Sequence, residues 1–389
     1  MVRELAIILY LFSVKITFIL FKLSPQRKKT VFISSFGDNV FFVWEKVLRE
    51  TDHETVILQL PGTKGEFEED RRTSVIKFDF AKNFRGFIKG VYHLATCKVV
   101  FIDNYYGLLA ATPFKENVKC IQLWHANGAI KRFGLKDPSI RFRSEKAYKR
   151  FRSVYKRFDY ITVGSDRMED IFREAFYVEK EVMLKTGIPR TDIFYDEPLK
   201  EKISEELNEK YPMISGNKVI LYAPTFRDQQ LKKHSIKLDI KKIYQELKED
   251  HVLLIRLHPA ILKGYNNNYP DFIIDVSEYP DANHLLFITD YLITDYSSIP
   301  FEFSLLEKPM IFYPYDLDEY KQSRGFWEDY DLLVPGPIAD NTDDIIRLIK
   351  ENDFDLEELR HFSDKWNQYN DGHASQKLIS EIYKKGSSN

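Results

Sequence analysis

The sequence predicts an α/β protein built from two Rossmann-like, doubly wound domains facing a cleft, and three observations lead there. Short apolar runs of strand length alternate with amphipathic stretches of helical length, the pattern of βαβ units and parallel sheets. The alternation restarts after residue 190, so it occurs as two sets. A chain of 389 residues also exceeds the roughly 250 that one core supports. Hydrophobic residues at 44% and charged residues at 30% exclude a disordered or fibrous protein. A net charge of -2 leaves no polycation to coat nucleic acid, so an anionic partner must be met by a local patch. The two cysteines, Cys97 and Cys120, lie in apolar runs, which argues against a disulfide framework or a cysteine-based zinc site and for a reducing compartment.

The N-terminus opens on an apolar run, Leu5 to Val14, interrupted by Lys15 and resumed from Ile16 to Phe21. It is short for a spanning helix, and Glu4 and the lack of a small-residue cleavage site argue against a signal peptide. An interfacial anchor, a buried first helix and a span all stay open at this point. Strands are expected at Thr30–Ser34, Val56–Leu60, Val75–Phe80, Lys98–Asp103, Cys120–Trp124 and Tyr160–Val163, with helices such as Val40–Glu50 and Phe84–Thr96 between them.

Arg141 to Phe158 reads RFRSEKAYKRFRSVYKRF, with eight basic residues and one acid. Tyr148, Phe151, Tyr155 and Phe158 recur at helical spacing, so they share one face with the cations around them. Such a helix suits an anionic membrane surface, through Arg150, Arg152, Lys156, Arg157, Phe151 and Tyr155. The plainer reading is an amphipathic helix packed on the core with a solvated basic face. Nucleic acid is not expected as a partner, because no nucleic-acid-binding motif accompanies the patch.

The second set of strands is expected at Lys218–Tyr222, Val252–Leu257, Phe272–Val276, Tyr291–Thr294 and Met310–Tyr313. The domains then run 1–195 and 196–355, the second beginning at the charged stretch Asp196–Glu209. A last polar helical segment within 356–389 is expected to cross back onto the first domain.

Open parallel sheets bind ligands beyond the carboxyl ends of their strands, so polar residues just after apolar runs are the places to look. One run ends in Trp124-His125-Ala126-Asn127-Gly128: an imidazole able to take a proton near neutral pH, then a small turn whose N–H groups could approach an anion. Another stops at Pro224, and Thr225 and Arg227 follow, a hydroxyl and a guanidinium suited to phosphate. In Ile255-Arg256-Leu257-His258-Pro259, Arg256 and His258 share a face of an extended strand. Asp295-Tyr296-Ser297-Ser298 precedes a helix with Glu302 one turn in, the pattern of an anion cradle at a helix N-terminus. At each place the plainer alternative is a strand end or cap bonded locally. No P-loop, H-E-x-x-H or G-x-S-x-G motif occurs, which argues against P-loop hydrolysis, zinc peptidase chemistry and the α/β-hydrolase elbow.

Together these stretches resemble the CDP-glycerol glycerophosphotransferase family of teichoic acid synthesis. The likeness rests on CIQLWHANGAIKRFGL, VILYAPTFRD, IRLHPA, DYLITDYSSIPFEFSLLEKPMIFYPYDL and RGFWEDYDLLVPGPI, in the family's order from about residue 97 to residue 338. The length and the Trp-His-Ala-Asn-Gly form are similar to the priming branch. The polymerising branch more often has Trp-His-Gly-Thr-Pro and carries an extra domain.

The resemblance implies a GT-B-like fold, with an acceptor- and membrane-binding first domain and a CDP-glycerol-binding second domain. It implies transfer of sn-glycerol 3-phosphate from CDP-glycerol to the N-acetylmannosamine of a polyprenyl-pyrophosphate-linked disaccharide, with release of CMP, at the cytoplasmic face of a bacterial membrane. His125 is then the candidate general base, and His258 stabilises the donor phosphates or the leaving CMP. Thr225, Arg227, Arg256, Asp295, Ser297, Ser298 and Arg324 fall on the donor side, with Glu302 toward the ribose. Asp103 and Asn104 fall on the acceptor side or orient His125, and Asn127 and Gly128 fall on the acceptor side. No cofactor is required by the sequence; a divalent cation could assist the pyrophosphate, although no carboxylate cage for one is legible. The alternatives are a polymerising glycerophosphotransferase and a nucleotide-sugar glycosyltransferase of similar fold. A non-catalytic lipid-head-group binder is disfavoured by so many polar strand ends.

Overall fold

The computed structural model describes residues 2–63, 67–225, 227, 236–257 and 267–383. Two compact units divide the chain. The first takes the chain up to Ala126, Phe133–Asp192, and the chain from Gln368 on; the second takes Asn127–Arg132 and Ile193–Asn367.

The first unit is a parallel sheet of seven strands: β1 (Lys29–Ser34), β2 (Glu54–Gln59), β3 (Thr73–Lys77), β4 (Val99–Ile102), β5 (Lys119–Gln122), β6 (Tyr160–Thr162) and β7 (Met183–Leu184). Their order is β3-β2-β1-β4-β5-β6-β7, and every pairing is parallel. Sequence order reverses between β1 and β4, which opens a crevice beyond their carboxyl ends. β1 is buried along its whole length, which is why its apolar run shows no polar alternation. β7 is only two residues long, too short to leave a periodic signal.

Helices α1 (Val2–Lys22), α2 (Asp38–Glu50), α3 (Phe84–Thr96), α4 (Glu145–Tyr155) and α5 (Asp166–Phe176) belong to this unit. Trp44, Val40, Val43 and Val47 of α2 pack on Phe32, Ile57, Phe101 and Ile121 of the sheet. α1 is half packed. Val14 and Phe18 are fully buried, Phe18 meets the edge of Phe114 at 5.5 Å, and Phe21 meets Tyr92 of α3 at 5.4 Å. Its other face shows Leu5, Ile8, Leu9, Phe12, Ile16, Ile19 and Leu20 to solvent. Glu4–Lys22 is long and apolar enough to cross a bilayer by length and composition.

α4 corrects the lipid-facing assignment. Tyr155 and Phe158 are buried, with ring centroids 4.9 and 5.7 Å from that of Phe176. Phe151 is half-buried against Tyr105 at 5.2 Å. An aromatic stripe on a helix of a folded domain gains most by burying against that domain's own core. Arg157 donates to the Leu109 carbonyl, Arg152 lies over the Tyr177 ring, and Arg150 pairs with Glu4 of α1 at 3.3 Å. The side chains left facing out are Arg141, Phe142, Arg143, Ser144, Glu145, Lys146, Tyr148, Lys149, Ser153 and Lys156, with Lys149 paired to Glu145 at 2.6 Å.

The second unit is a parallel sheet of five strands: β8 (Lys218–Tyr222), β9 (His251–Ile255), β10 (Ile273–Asp275), β11 (Tyr291–Thr294) and β12 (Met310–Phe312). The order β10-β9-β8-β11-β12 reverses between β8 and β11. Its described helices are α6 (Glu197–Lys210), α7 (Ile240–Leu247), α8 (Ala282–Phe287), α9 (Ile299–Phe303), α10 (Leu317–Arg324), α11 (Tyr330–Leu333), α12 (Thr342–Glu351) and α13 (Leu356–Trp366). α7 and α12 cover one sheet face through Ile243, Leu247, Ile345 and Ile349.

The last helix, α14 (Ala374–Tyr383), returns to the first unit and packs Leu378, Ile379 and Ile382 into its core. The segment read as one helix from 356 to 384 is therefore two. Asn367 ends α13, and Gly372 takes a φ of 81°, which a helix cannot contain.

Candidate active site

In the first unit the site begins at the crevice between β1 and β4. β1 ends at Ser34, and the chain turns through Ser35, Phe36 and Gly37 into α2. Gly37 has a φ of 99°, a conformation that favours glycine. Asp103, the residue after β4, is fully buried, and its carboxylate accepts from the N–H groups of Ser35, Phe36 and Gly37 at 3.0–3.1 Å. The hydroxyls of Ser34 and Tyr106 donate to it as well. Burial and this carboxylate together drive the Tyr106 phenol well above its ordinary pKa. The carboxylate of Asp103 is thus bonded within the loop. Asn104 is also engaged locally, its Nδ2 donating to Ser35 Oγ at 3.1 Å.

The other half of Asp103 reaches His125. Its main-chain oxygen lies 3.0 Å from His125 Nδ1, so a neutral imidazole bonded there carries its proton on Nδ1 and its lone pair on Nε2. Phe36 stacks on the imidazole at 4.1 Å with an 11° tilt, and Trp124 stacks at 4.3 Å. Trp124 has a φ of 60°, a left-handed backbone for a bulky side chain that costs of order 1–3 kcal/mol. Phe133, at 4.6 Å, and Phe172, at 5.5 Å, hold its indole.

The backbone here is pinned as well. Asn39 Nδ2 donates to the Trp124 carbonyl at 3.0 Å, and Arg190 Nη1 donates to the His125 carbonyl at 2.9 Å. Arg190 also pairs with Asp38 at 3.3 Å, and its N–H donates to Asn39 Oδ1 at 2.9 Å. Sequence reading missed Phe36, Asn39 and Arg190. Phe36 stands in the first strand-to-helix turn and Asn39 in the first turn of α2, positions that signal a site in this fold. Arg190 follows β7, whose brevity hid it.

Asn127 and Gly128 belong to the second unit and are buried in it. Asn127 Nδ2 donates to Asn367 Oδ1 at 2.7 Å, and Asn367 Nδ2 donates to the Phe301 carbonyl at 2.9 Å. A Cβ on Gly128 would stand 2.5 Å from the Phe301 ring. Both residues pack a segment under α9.

In the second unit the crevice lies between β8 and β11, and a buried aspartate again spans it. Asp295, the residue after β11, accepts from the Thr225 N–H at 2.7 Å and the Tyr296 N–H at 2.6 Å. Arg227 donates to Asp295 through Nη1 at 2.7 Å and grips Asp316 through Nε and Nη2 at 2.5 and 2.7 Å. Burial opposes the guanidinium's charge, but Asp316 and Asp295 outweigh it and hold its pKa above the ordinary value. Tyr296, Tyr315 and Tyr320 lie against its plane, centroids 4.5–5.5 Å away. Arg227 and Asp295 quench one another and brace the crevice. Arg256 Nη1 likewise donates to the carbonyls of Val276 and Tyr279 at 3.0 and 2.8 Å.

The remaining donor-side residues stand as follows. Thr225 Oγ1 is buried and has no hydrogen-bond partner among the described residues. Ser297 Oγ accepts from the Ile299 N–H at 3.3 Å, while Ser298 is the N-cap of α9 without a side-chain cap bond. Glu302 is buried in α9, and Arg324 is exposed at the end of α10. His258 lies outside the described residues. Among the described residues no three His, Cys, Asp or Glu side chains are grouped to hold a metal ion.

Comparison with known proteins adds to this geometry. The sequence pattern of the CDP-glycerol:poly(glycerophosphate) glycerophosphotransferase family matches residues 18–384. A teichoic acid glycerol-phosphate primase of Bacillus subtilis (strain 168) is 43% identical over 302 residues, 77% of this chain and 77% of that protein. A teichoic acid poly(ribitol-phosphate) polymerase of Bacillus spizizenii (strain ATCC 23059 / NRRL B-14472 / W23) is 38% identical over 75% of this chain and 47% of that protein. A structure of the wall teichoic acid polymerase TagF from a CDPG soak superposes with a TM-score of 0.80 and 26% identity, covering 99% of this chain and 98% of that one.

Proposed function

As the chain belongs to the CDP-glycerol:poly(glycerophosphate) glycerophosphotransferase family and is a CDP-glycerol glycerophosphotransferase, we propose that it performs the priming step. In that step sn-glycerol 3-phosphate passes from CDP-glycerol to the N-acetylmannosamine of a polyprenyl-pyrophosphate-linked disaccharide, and CMP leaves. The acceptor hydroxyl attacks the phosphorus that bears the glycerol, and the bond to the CMP oxygen breaks. His125 takes the proton from that hydroxyl, and positioning and charge stabilisation carry the rest of the barrier. Facing domains with a cleft between them are part of this proposal.

The observation that carries it is the setting of His125. An imidazole with Nδ1 on a main-chain carbonyl and both faces stacked by aromatic rings is held in one orientation and one tautomer, as a general base requires. The priming reading over the polymerising one is supported by the matched shares, 77% of the primase against 47% of the polymerase.

The proposed workplace is an anionic membrane, at its cytoplasmic face, with the protein peripheral or monotopic. The outward apolar face of α1 and the exposed Phe142 (77%) support it, as does the ion pair of Arg150 with Glu4 that ties the basic helix to α1. Exposed Arg141, Arg143, Lys146, Lys149 and Lys156 would each contribute about 1 kcal/mol near anionic headgroups. The packed inner face of α1 favours lying on the bilayer over crossing it. We propose no resident cofactor; a divalent ion, if used, arrives with the donor's pyrophosphate.

Incubation with CDP-glycerol and a synthetic lipid-linked disaccharide tests the reading. The product mass is expected to rise by a single glycerol phosphate with equimolar CMP. A ladder of masses would show a polymerase, and turnover of UDP-sugars instead would show a glycosyltransferase.

A further inference from the structure

The segment Asn127–Arg132 follows the candidate base directly in sequence, yet it belongs to the second unit. Ile130–Arg132 lies as a short antiparallel partner of Gly325–Trp327. Lys131 bridges Phe326, the Arg132 N–H donates to the Gly325 carbonyl at 3.1 Å, and the Trp327 N–H donates to the Ile130 carbonyl at 3.1 Å. Arg132 Nε fixes the register further by donating to the Phe326 carbonyl at 2.9 Å. Phe326 is a buried member of the aromatic group that includes Tyr296, Tyr320 and Tyr330, beside Arg227 and Asp295.

Lys131 is partly buried at this place, and among the described residues no carboxylate stands within ion-pairing distance of it. The charges it feels are Asp295, Arg324 and Arg227. Two of these are cations, and Asp295 is already shared among Arg227, the Thr225 N–H and the Tyr296 N–H. Burial lowers the Lys131 pKa, Asp295 opposes that, and Arg324 and Arg227 add to it. A partly buried cation beside two other cations, its one carboxylate already shared, is costly unless an anion completes it. The buried Thr225 hydroxyl, without a hydrogen-bond partner among the described residues, stands on a residue whose N–H meets the same Asp295 and is a second polar group suited to a ligand there.

We propose that Lys131, rather than Arg227, is the cation that grips the pyrophosphate of the nucleotide donor at the β8–β11 crevice, with the Thr225 hydroxyl as a neighbouring donor. The inference rests on the CDP-glycerol reading for the identity of the ligand. The ammonium meets a phosphate oxygen as a point charge, and the bidentate geometry that a guanidinium offers is spent elsewhere, on Asp316.

Full-length wild type, Lys131→Met and Lys131→Arg, titrated by calorimetry with CDP-glycerol, inorganic pyrophosphate and cytidine, test it. Lys131→Met is expected to weaken CDP-glycerol and pyrophosphate by about 10- to 100-fold and to leave cytidine unchanged. Lys131→Arg is expected to recover part of the loss. The melting temperature of ligand-free Lys131→Met is expected to hold or rise, because a partly buried cation without its own counter-ion has been removed. Unchanged pyrophosphate affinity in a folded Lys131→Met would overturn the proposal, as would a melting temperature that falls together with cytidine binding. If wild type binds pyrophosphate through Lys131 but ignores CDP-glycerol, the anion site stands and the donor reading fails.

Discussion

Asp103 serves His125 twice: its main-chain oxygen receives the Nδ1 side of the imidazole at 3.0 Å, and its carboxylate holds the N–H of Phe36, the ring that stacks on that imidazole. One buried residue thereby sets both tautomer and ring plane. The second unit repeats the device, with Asp295 joining the ends of β8 and β11 through the Thr225 N–H. In each parallel sheet a carboxylate thus closes the crevice where strand order reverses.

His125→Ala is expected to abolish transfer of glycerol phosphate while CDP-glycerol still binds. Single-turnover assays alongside calorimetry separate the two. Retained turnover would remove His125 from the mechanism.

Asp103→Ala strips a carboxylate from three N–H donors and three hydroxyls in a fully buried place, at a cost of about 2–4 kcal/mol by denaturant unfolding. Its kcat is expected to fall further than the loss of folded protein explains, because Phe36 no longer fixes the imidazole. A variant that is merely less stable, with normal kcat per folded molecule, would confine Asp103 to the scaffold.

Arg227→Met leaves Asp295 and Asp316 without their shared cation. Breaking a buried ion pair from one side costs about 3–5 kcal/mol, so the variant is expected to unfold early or express poorly. A guanidinium that gripped the donor instead would give normal stability with a raised KM, and thermal unfolding together with steady-state kinetics tells these apart.

Stability is expected to fall on mild acidification. Burial lowers the pKa of His53 and of His93 to about 4, against an ordinary 6.5. Between those values the unfolded chain binds protons that the folded chain refuses, so stability is full above about pH 6.5 and declines as pH falls toward 4. Unfolding midpoints across this range, compared with His53→Gln and His93→Gln, check it; slopes equal to wild type would assign the loss to other groups.

Replacing Leu9, Phe12 and Leu20 together by Ser, on the outward face of α1, is expected to reduce sedimentation with anionic vesicles without lowering the melting temperature. Replacing Lys146 and Lys149 by Gln is expected to make the remaining binding less sensitive to salt. Binding that is indifferent to both changes would remove this face from the membrane.

The strands were legible in the sequence because burial on both faces leaves continuous apolar runs, and the site region was legible because ligands gather at the carboxyl ends of such strands. Tyr155 misled for a physical reason: periodicity shows that a helix has an apolar face, not what covers it. Its ring turned inward onto Phe176, while Tyr148 of the same repeat and Phe142, outside it, are the rings left exposed.

The sequence alone determined the two sets of parallel strands, the placing of His125 at a strand end and the family likeness, since each depends on residues close together along the chain. Only the tertiary structure decided which polar side chains are spent on one another. Arg227 meets Asp316 across 89 positions and Asn127 meets Asn367 across 240, and pairings at such separations leave no periodic trace. Burial makes those pairings obligatory, because a charge or amide taken out of water must find a partner, and folding brings that partner from afar.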